Sequence, residues 1–197
     1  MKSIENNIEN TLVIKKSKFI CKLFNVTNLD EINKILDKLK NQYKDSTHIC
    51  YAYILNGLEK ASDDGEPSGT AGMPILNILN KKELNMILCV VIRYFGGIKL
   101  GASGLVRAYS NSAIDAINKA NIIELEEGYL IELEFNIKDI KMIDYILIDK
   151  KIVNKKFDTN VTYSFYLTKE ELNFIPELEK IAIHISIKDK CMIKKSN

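Results

Sequence analysis

The residues best suited to chemistry in this chain are its two arginines, Arg93 and Arg107. Both lie in one segment, Val90–Tyr109, while the other long basic side chains are all lysines. Arginine presents a planar fork of donors that binds an oxyanion or a carboxylate through two hydrogen bonds. The two arginines flank a glycine-rich turn, FGGIKLGASG. This arrangement predicts a working site, and the alternative is that packing alone brought the arginines together.

The glycine-rich turn is expected to join a buried strand to a helix. Backbone amides at such a junction, with the positive end of the helix dipole, bind anions. Arg107 is expected in the first turn of this helix, where a cation is unfavourable by roughly 0.3 to 1 kcal/mol unless an anion compensates it. The sequence therefore predicts an anion-binding surface formed by Arg93, Arg107, Lys99, Gly96, Gly97, Gly101, Gly104, Thr70 and His48.

An acidic loop precedes this turn in the chain and carries Asp63, Asp64 and Glu66. Three carboxylates so close together suit Mg²⁺ binding or acid–base chemistry, although Asp-Gly and Glu-Pro are also ordinary turn dipeptides. The anion that compensates the arginines is either part of a ligand or one of these carboxylates. In the second case the ion pairs clamp the two loops together. Both interpretations place the loops on one surface.

Several familiar catalytic and cofactor motifs are absent from the sequence. The glycines fit neither the GxxxxGK[ST] nor the GxGxxG pattern, and neither His48 nor His184 accompanies a nucleophile-elbow sequence. The four cysteines form no CxxC pair, so zinc binding has no support in their spacing. We predict buried strand positions for Cys21, Cys50 and Cys89, and we predict no catalytic residue, metal ligand or cofactor.

The first half of the chain reads as alternating strands and helices that position the two loops. The runs LVI and FICKLFNV, separated by KKSK, predict a hairpin or a bent strand. Asn28, with Glu31 three residues later, predicts the start of a helix with one apolar stripe. Buried strands are predicted over Thr47–Leu55 and Met86–Tyr94, with a loop after Lys60 and a short helix after Pro74. A longer helix is expected over 105–121.

The second half predicts a smaller domain of a different kind. Glu124–Gly128, ELEEG, reads as a polar linker. Beyond it, the order of strand, helix, strand, strand, helix and strand predicts the ferredoxin-like βαββαβ arrangement, with two helices on one face of an antiparallel sheet. Pro176 predicts a bent or late-starting second helix. The fold class expected for the whole chain is therefore α+β.

Charge and composition limit the classes of function. The formal net charge is only +2, and acidic and basic side chains balance in both halves of the chain. This balance argues against coating a polyanion such as bulk nucleic acid, although a local patch remains open. No stretch approaches the length of a membrane span, and no signal peptide is evident, so a cytoplasmic protein is expected. The sequence carries no signal for oligomeric state.

Three segments carry a resemblance to a known family: THICYAY, SDDGEPSGTAGMPIL and VVIRYFGGIKLGASGLVRAY, in that order. The chain resembles the IMPACT/YigZ family, closely over residues 1 to about 122. The resemblance implies an Impact-type domain over 1–125 with a ribosomal-protein-S5 domain-2-like fold. It also implies a ferredoxin-like domain over 128–197 similar to one in elongation factor G.

The resemblance also implies a function. Eukaryotic members of the family are regarded as regulators of translation, and nucleic-acid binding has been proposed for bacterial members from fold similarity. We therefore expect a non-catalytic regulator of translation that binds RNA, the ribosome or a translation-associated protein through the surface of the two loops. The alternative is a Mg²⁺-dependent enzyme that acts on a phosphorylated small molecule. A third interpretation makes the signature purely architectural.

Overall fold

The computed structural model describes residues 1–195, which separate into two compact units, Met1–Glu124 and the chain from Leu125 onward. The described residues form ten strands in two antiparallel sheets and five α-helices, so the fold is mixed α+β. In chain order, the elements are β1 (Lys2–Ile4), β2 (Ile8–Ile14), β3 (Ser17–Asn25), α1 (Leu29–Gln42), β4 (His48–Leu55), β5 (Leu58–Ser62), α2 (Gly72–Lys81), β6 (Ile87–Tyr94), α3 (Ala102–Lys119), β7 (Ile122–Phe135), α4 (Ile140–Ile146), β8 (Ile152–Phe157), β9 (Val161–Thr168), α5 (Ile175–Glu179) and β10 (His184–Lys194).

The sheet of the first unit has the strand order β2–β3–β6–β4–β5, and all neighbours are antiparallel. The central strand β6 is rich in β-branched residues and is buried from Ile87 to Arg93. Helices α2 and α3 pack on one face of the sheet, where Cys50, Ala52 and Val91 belong to their cluster of apolar side chains. Strand β6 is also buried on its other face, where the ring centre of Tyr43 at the end of α1 lies 5.5 Å from the Nζ of Lys22, the partner of Val90.

The first strand pair is a hairpin, as the sequence predicts. Strands β2 and β3 pair from Ile8 to Ile14, and the turn consists of Lys15 and Lys16. Both lysines have positive φ angles, 44° and 67°, which is the conformation that a two-residue hairpin turn of type I′ requires. Lysine does not favour this conformation, so the pattern of the flanking strands overrides the preference of the turn residues.

Helix α1 begins where the sequence predicts. The Asn28 side chain accepts a hydrogen bond of 2.9 Å from the backbone N–H of Glu31. The Glu31 carboxylate in turn accepts one of 2.9 Å from the backbone N–H of Thr27. These two bonds satisfy donors that a helix start otherwise leaves unpaired. The buried stripe consists of Ile32, Leu36 and Leu39.

Helix α3 begins earlier than predicted, at Ala102 instead of about Leu105. The residue before it, Gly101, has a φ of 73°, which favours glycine. This start places Arg107 in the second turn of the helix rather than the first. Although α3 is the longest described helix, no helix within residues 1–195 combines the length and the hydropathy needed to cross a membrane.

The second unit has the strand order β10–β7–β9–β8, again antiparallel. Side chains of β9 alternate between buried and half-buried, and its buried set packs with α4 and α5 residues such as Ile143 and Leu178. Each helix is shorter than predicted: 3-10 turns take the first residues, Ile137–Asp139 and Glu170–Phe174, and α4 also ends early, at Ile146. The late start predicted from Pro176 is confirmed, since α5 begins at Ile175.

The polar segment 124–128, expected to be a linker, lies within strand β7. Residues Ile122 to Glu124 pair with β1, and from Leu125 onward the strand pairs with β10. Gly128 allows close packing here, because an added Cβ would lie 2.6 Å from the side chain of Ile193. Glutamates alternate with apolar residues in this segment, a pattern that also suits a half-exposed strand.

Candidate functional site

Three side chains form a row across the middle of the first sheet. Arg93 near the end of β6 pairs with Phe19 of β3 on one side and with His48 of β4 on the other. All three extend the alternating face that packs on α2 and α3, because Cys50 and Val91 lie two residues away on the same face. We call this set the Arg93 row. It brings an arginine and a histidine to the same end of the three central strands, beside both loops.

Arg93 is only 5% exposed and forms an ion pair with Glu66, itself 7% exposed. The guanidinium Nη1 donates to Glu66 Oε1 at 2.5 Å. The same oxygen accepts a hydrogen bond of 2.7 Å from the hydroxyl of Tyr109 on α3. The Glu66 carboxylate therefore joins the acidic loop to the sheet and to α3. This is the ion pair expected if a carboxylate of the acidic loop, and not a ligand, compensates Arg93.

Arg93 uses only part of its donor capacity in this clamp. Its Nε is buried and has no hydrogen-bond partner within residues 1–195. The guanidinium carbon lies 5.4 Å from the centre of the Phe19 ring and 5.5 Å from that of Phe95, distances that suit cation–π contacts. An unpaired buried donor costs about 1–3 kcal/mol. Such a donor in a native site therefore calls for an explanation.

His48 has a defined orientation beside this pair. Its Nδ1 lies 2.7 Å from the backbone carbonyl oxygen of Asp64. Because a carbonyl only accepts, Nδ1 carries the proton and Nε2 is the nitrogen left for other contacts. Nε2 lies 3.9 Å from Glu66 Oε2, so a protonated His48 adds a second cation beside that carboxylate. The added charge would increase the positive potential beside Arg93.

Two buried groups next to the clamp stay uncharged at neutral pH. Burial raises the pKa of the Cys50 thiol to about 12, although a hydrogen bond to Tyr109 acts to lower it. Burial also raises the pKa of Tyr109 well above its usual range, reinforced by Cys50 and Glu66. The thiol lies 2.9 Å from the carbonyl oxygen of Asp63 and 3.4 Å from the Tyr109 hydroxyl. Cys50 is therefore a structural donor and not a reactive thiolate.

Asp63 holds the acidic loop in shape and caps helix α2. One of its oxygens accepts from the backbone N–H groups of Ala71 at 3.0 Å and Gly72 at 2.8 Å. The other accepts from Gly69 at 2.8 Å. Burial acts to raise the pKa of Asp63, but these three hydrogen bonds outweigh it, so the pKa lies below its ordinary value of 3.8. The loop thus needs the ionised form of this carboxylate.

Replacement of Asp63 by asparagine is expected to lower the free energy of unfolding by about 1–2 kcal/mol at neutral pH, because the amide has one acceptor oxygen and no charge. The folded-state pKa is depressed, so the ionised side chain stabilises fully above the unfolded pKa. This contribution is lost as the pH falls through the folded pKa. Denaturant titrations at pH 7 and pH 3 should show the difference from wild type shrinking at the lower pH. A difference that stays constant would contradict this assignment.

The three carboxylates of the acidic loop have separate structural tasks. Asp64 Oδ2 accepts from the backbone N–H of Ile49 at 2.6 Å, and its own φ angle is 43°. Asp63 is occupied by three amides, and Glu66 by Arg93 and Tyr109. Within residues 1–195 no group of three His, Cys, Asp or Glu side chains is arranged to hold a metal ion. The arrangement therefore gives no support to the magnesium interpretation.

The glycine loop, residues 95–101, depends on a close approach between two backbones. A Cβ at Gly96 would lie 2.1 Å from the carbonyl carbon of Lys16 in the β2–β3 turn. The N–H of Gly96 donates to the Ser17 hydroxyl at 3.1 Å. The neighbouring Gly97 has a φ of 82° and open space around it, so it is required for backbone conformation instead.

Residues of the two loops line an open pocket of about 440 Å³ together with His48 and Arg93. We call it the Arg93 pocket. Cationic, acidic and apolar side chains share its walls, and the start of α3 closes one side. Its lining residues are Thr47, His48, Glu66, Pro67, Arg93, Phe95, Lys99, Leu100, Gly101, Ala102 and Leu105. The size is within the range of pockets that hold small organic ligands, about 300–1,000 Å³.

The structure brings only some of the predicted site residues together. His48, Glu66, Arg93, Lys99 and Gly101 meet at the Arg93 pocket. Others support it from outside the lining: Gly96, Gly97 and Gly104 shape the glycine loop and the start of α3, and the Thr70 hydroxyl donates to the carbonyl of Pro67 at 2.6 Å. Arg107 is exposed on α3, and its side chain makes no ion pair or hydrogen bond in the described part of the chain.

Sequence reasoning did not give Tyr109 or Thr47 a role at the site. Tyr109 reads as a core residue of the apolar face of α3, which it is, but its hydroxyl also completes the Glu66 clamp. Thr47 Oγ1 accepts from the backbone N–H of Phe95 at 2.9 Å and so fixes the start of the glycine loop. A polar tip on a buried helix face is the only signal that points to Tyr109.

Fold and site together define a two-unit α+β protein with a pocket beside two loops of an antiparallel sheet. The chain belongs to the IMPACT family: the profile of the Impact N-terminal domain matches residues 15–117. IMPACT family member YvyE of Bacillus subtilis (strain 168) is 37% identical over 174 residues, covering 86% of this chain and 80% of that protein. IMPACT family member YigZ of Escherichia coli (strain K12) is 33% identical over 158 residues, covering 75% and 76%.

The fold is also found among solved structures. A crystal structure described as a hypothetical protein superposes with a TM-score of 0.64 at 25% identity, covering 95% of this chain and 97% of that one. The two-domain translational regulator Yih1 aligns over 60% of this chain at 20% identity. Its TM-score of 0.36 is too low to support a conclusion about fold or function.

Proposed function

We propose that this chain is a non-catalytic regulator of translation. It binds RNA, the ribosome or a translation-associated protein through the Arg93 pocket and the two loops around it. The observation that carries the proposal is the state of Arg93: one Nη donates to Glu66 while the buried Nε remains unpaired. A purely internal clamp would satisfy the buried donors of its arginine. An arginine that retains free donors beside a pocket is suited to binding an anionic group.

Membership of the family supports the proposed translational role. Eukaryotic IMPACT proteins, which the family signature of this chain resembles, are regarded as regulators of translation. The charge balance supports a bounded contact over a broad one, because a formal net charge of +2 provides little long-range attraction for a polyanion. We therefore expect the partner to offer one exposed anionic group to the pocket, in the cytoplasm, where translation takes place.

The finer domain assignments belong to the same proposal. The first unit is proposed to be an Impact-type domain, 1–125, of the ribosomal-protein-S5 domain-2-like class. The second, 128–197, is proposed to be a ferredoxin-like domain similar to one in elongation factor G. Its order βαββαβ, with the last strand beside the first and the third between first and second, supports this assignment. Fold likeness alone does not establish a partner.

Substitution of Lys99 by alanine is expected to weaken co-sedimentation with ribosomes about tenfold, because one cation of the pocket is removed. Lys99 is exposed, so the fold should not change. Wild type and variant would be sedimented with purified ribosomes over a range of salt concentrations, with and without nuclease. Nuclease treatment separates RNA contacts from protein contacts.

The matched control is Lys38→Ala, an exposed lysine on α1 that does not line the Arg93 pocket. Its co-sedimentation should equal that of wild type. If Lys99→Ala and Lys38→Ala bind equally, the pocket is not the contact. If wild-type protein does not sediment with ribosomes and captures neither RNA nor a translation-associated protein from lysate, the proposed function is wrong.

A further inference from the structure

Cationic side chains outnumber carboxylates among the described residues that line the Arg93 pocket. Arg93 and Lys99 contribute permanent cations, His48 contributes a ring nitrogen, and Glu66 is the one carboxylate among the described lining residues. Glu66 is already neutralised by Arg93 at 2.5 Å. Lys99, whose side chain has no ion pair within residues 1–195, is therefore the cation left for a ligand, beside the incompletely hydrogen-bonded guanidinium of Arg93. This excess indicates an anion with several acceptor oxygens.

The start of α3 adds main-chain donors to the same pocket. Gly101 and Ala102 line it, and no side chain caps this end of the eighteen-residue helix. The first N–H groups of a helix lack intrahelical acceptors and carry a partial positive charge. Gly101 and Ala102 line the same cavity as Arg93, which is 95% buried and not fully paired. Helix start and arginine are independent features that point to one anion position.

The remaining walls of the pocket are apolar. Phe95 is 46% exposed, and one side of its ring lies near the Arg93 guanidinium. Leu100, Leu105 and Pro67 complete this part of the lining. An exposed aromatic ring beside an anion site is suited to stacking on a flat group that is attached to the anion. At about 440 Å³ the pocket has room for both parts of such a ligand.

We propose that the Arg93 pocket binds a nucleoside monophosphate, either free or as the phosphorylated end of an RNA chain. The terminal phosphate contacts Arg93, Lys99 and the start of α3, and the base stacks on Phe95. A terminal phosphate offers three oxygens and about two negative charges, which match these donors better than a carboxylate with two oxygens and one charge. Because Arg93 is only 5% exposed, a terminal phosphate approaches it more easily than an internal phosphodiester, which carries a nucleoside on both sides. This inference rests on the proposed function, since it names the ligand of the same site.

The test measures binding of 5′-AMP to the full chain by isothermal titration calorimetry. Adenosine, which lacks the phosphate, and ribose 5-phosphate, which lacks the base, are the matched comparisons. Both should bind at least about tenfold more weakly than 5′-AMP, since each lacks one of the two contacts. A short oligoadenylate with and without a 5′-phosphate distinguishes an RNA end from a free nucleotide. Preference for the phosphorylated oligonucleotide over 5′-AMP would identify the RNA end as the source.

Three variants connect the binding to the pocket. Lys99→Ala and Phe95→Ala should each weaken 5′-AMP binding about tenfold, since one removes a phosphate contact and the other the stacking ring. Both side chains are exposed, so the folded state should persist. Arg107→Ala is the control, an exposed arginine on α3 that does not line the pocket, and it should bind like wild type. Equal weakening by Arg107→Ala would overturn the proposal.

The outcomes separate this inference from the proposed function. If neither 5′-AMP nor the phosphorylated oligonucleotide binds while ribosome co-sedimentation still depends on Lys99, the ligand class is wrong and the proposed function stands. If 5′-AMP binds with dependence on Lys99 and Phe95 while no ribosome, RNA or translation-associated protein is captured, the ligand class stands and the proposed function fails. Binding of a leucine-ended peptide with a free carboxylate, but not of its amide or of 5′-AMP, would also overturn the inference.

Discussion

Replacement of Glu66 by alanine is expected to lower the free energy of unfolding by about 3–5 kcal/mol, because it leaves the Arg93 guanidinium buried without its counter-charge. Arg93 is 5% exposed, and the Tyr109 hydroxyl loses its acceptor at the same time. Equilibrium denaturation in urea, followed by a probe in the first unit, gives the change in free energy. The loss should be among the largest that a single substitution causes in this unit.

A more exposed ion pair in the same unit provides the control for Glu66. Glu9 pairs with Lys22 on neighbouring strands, and the two side chains are 54% and 14% exposed, against 3% and 6% for Glu66 and Arg93. Glu9→Ala should cost at most about 1 kcal/mol, since exposed pairs are weak. The double variant Glu66→Ala with Arg93→Met should recover part of the stability, because it removes the unpaired charge. A cost of Glu66→Ala no larger than that of Glu9→Ala would show that the clamp does not hold the loop.

Gly96→Ala is expected to destabilise the first unit by about 3 kcal/mol, at the upper end of the usual cost of overpacking. The added Cβ would lie 2.1 Å from one backbone atom of Lys16 and 2.4 Å from the backbone nitrogen of Ser17. Backbone cannot move aside by changing a rotamer, so the glycine loop and the hairpin turn must separate. Thermal and urea unfolding would measure the loss, and ligand binding should weaken with it.

The neighbouring glycine distinguishes a steric cause from a conformational one. Gly97 has no atom within 4 Å of an added Cβ, but its φ of 82° is unfavourable for alanine. Gly97→Ala should therefore cost about 1–2 kcal/mol, the usual penalty for a left-handed backbone. Equal losses of stability at the two positions would mean that glycine is needed at position 96 for its backbone conformation and not for the close approach of Lys16. That result would contradict the geometry described above.

Much of the fold could be predicted from local patterns. The two central strands, the start of α1 at Asn28 and the strand and helix order of the second unit depend on periodicity and capping, which are properties of short segments. Strands β1 and β5 were not predicted. β1 has only three residues, and β5, Leu58–Ser62, lies mostly in a segment read as loop. Pairing with a neighbour, rather than their own pattern, makes these segments strands.

The site was predictable in location but not in detail. The sequence indicates that the arginines and carboxylates share a surface, and Arg93 and Glu66 do so. It treats Asp63, Asp64 and Glu66 as one group, although each has a different partner. It also treats the two arginines alike, although Arg107 is exposed outside the pocket lining. Whether a side chain points into the pocket depends on strand register and on its angular position around the helix. An error of a few residues in the start of α3 therefore moves Arg107 to a different face of the helix.

The Arg93 row has a consequence for how the family signature can be used in engineering. Its three members come from β3, β6 and β4, which are distant in sequence and adjacent only in the assembled sheet. The acidic loop is held by bonds to β4 and β6, and the glycine loop by a bond to Ser17 at the start of β3. A peptide that carries the signature segments alone lacks β3 and the hairpin, so it cannot reproduce the pocket. Transplanting the binding property to another scaffold would require the whole sheet as the graft.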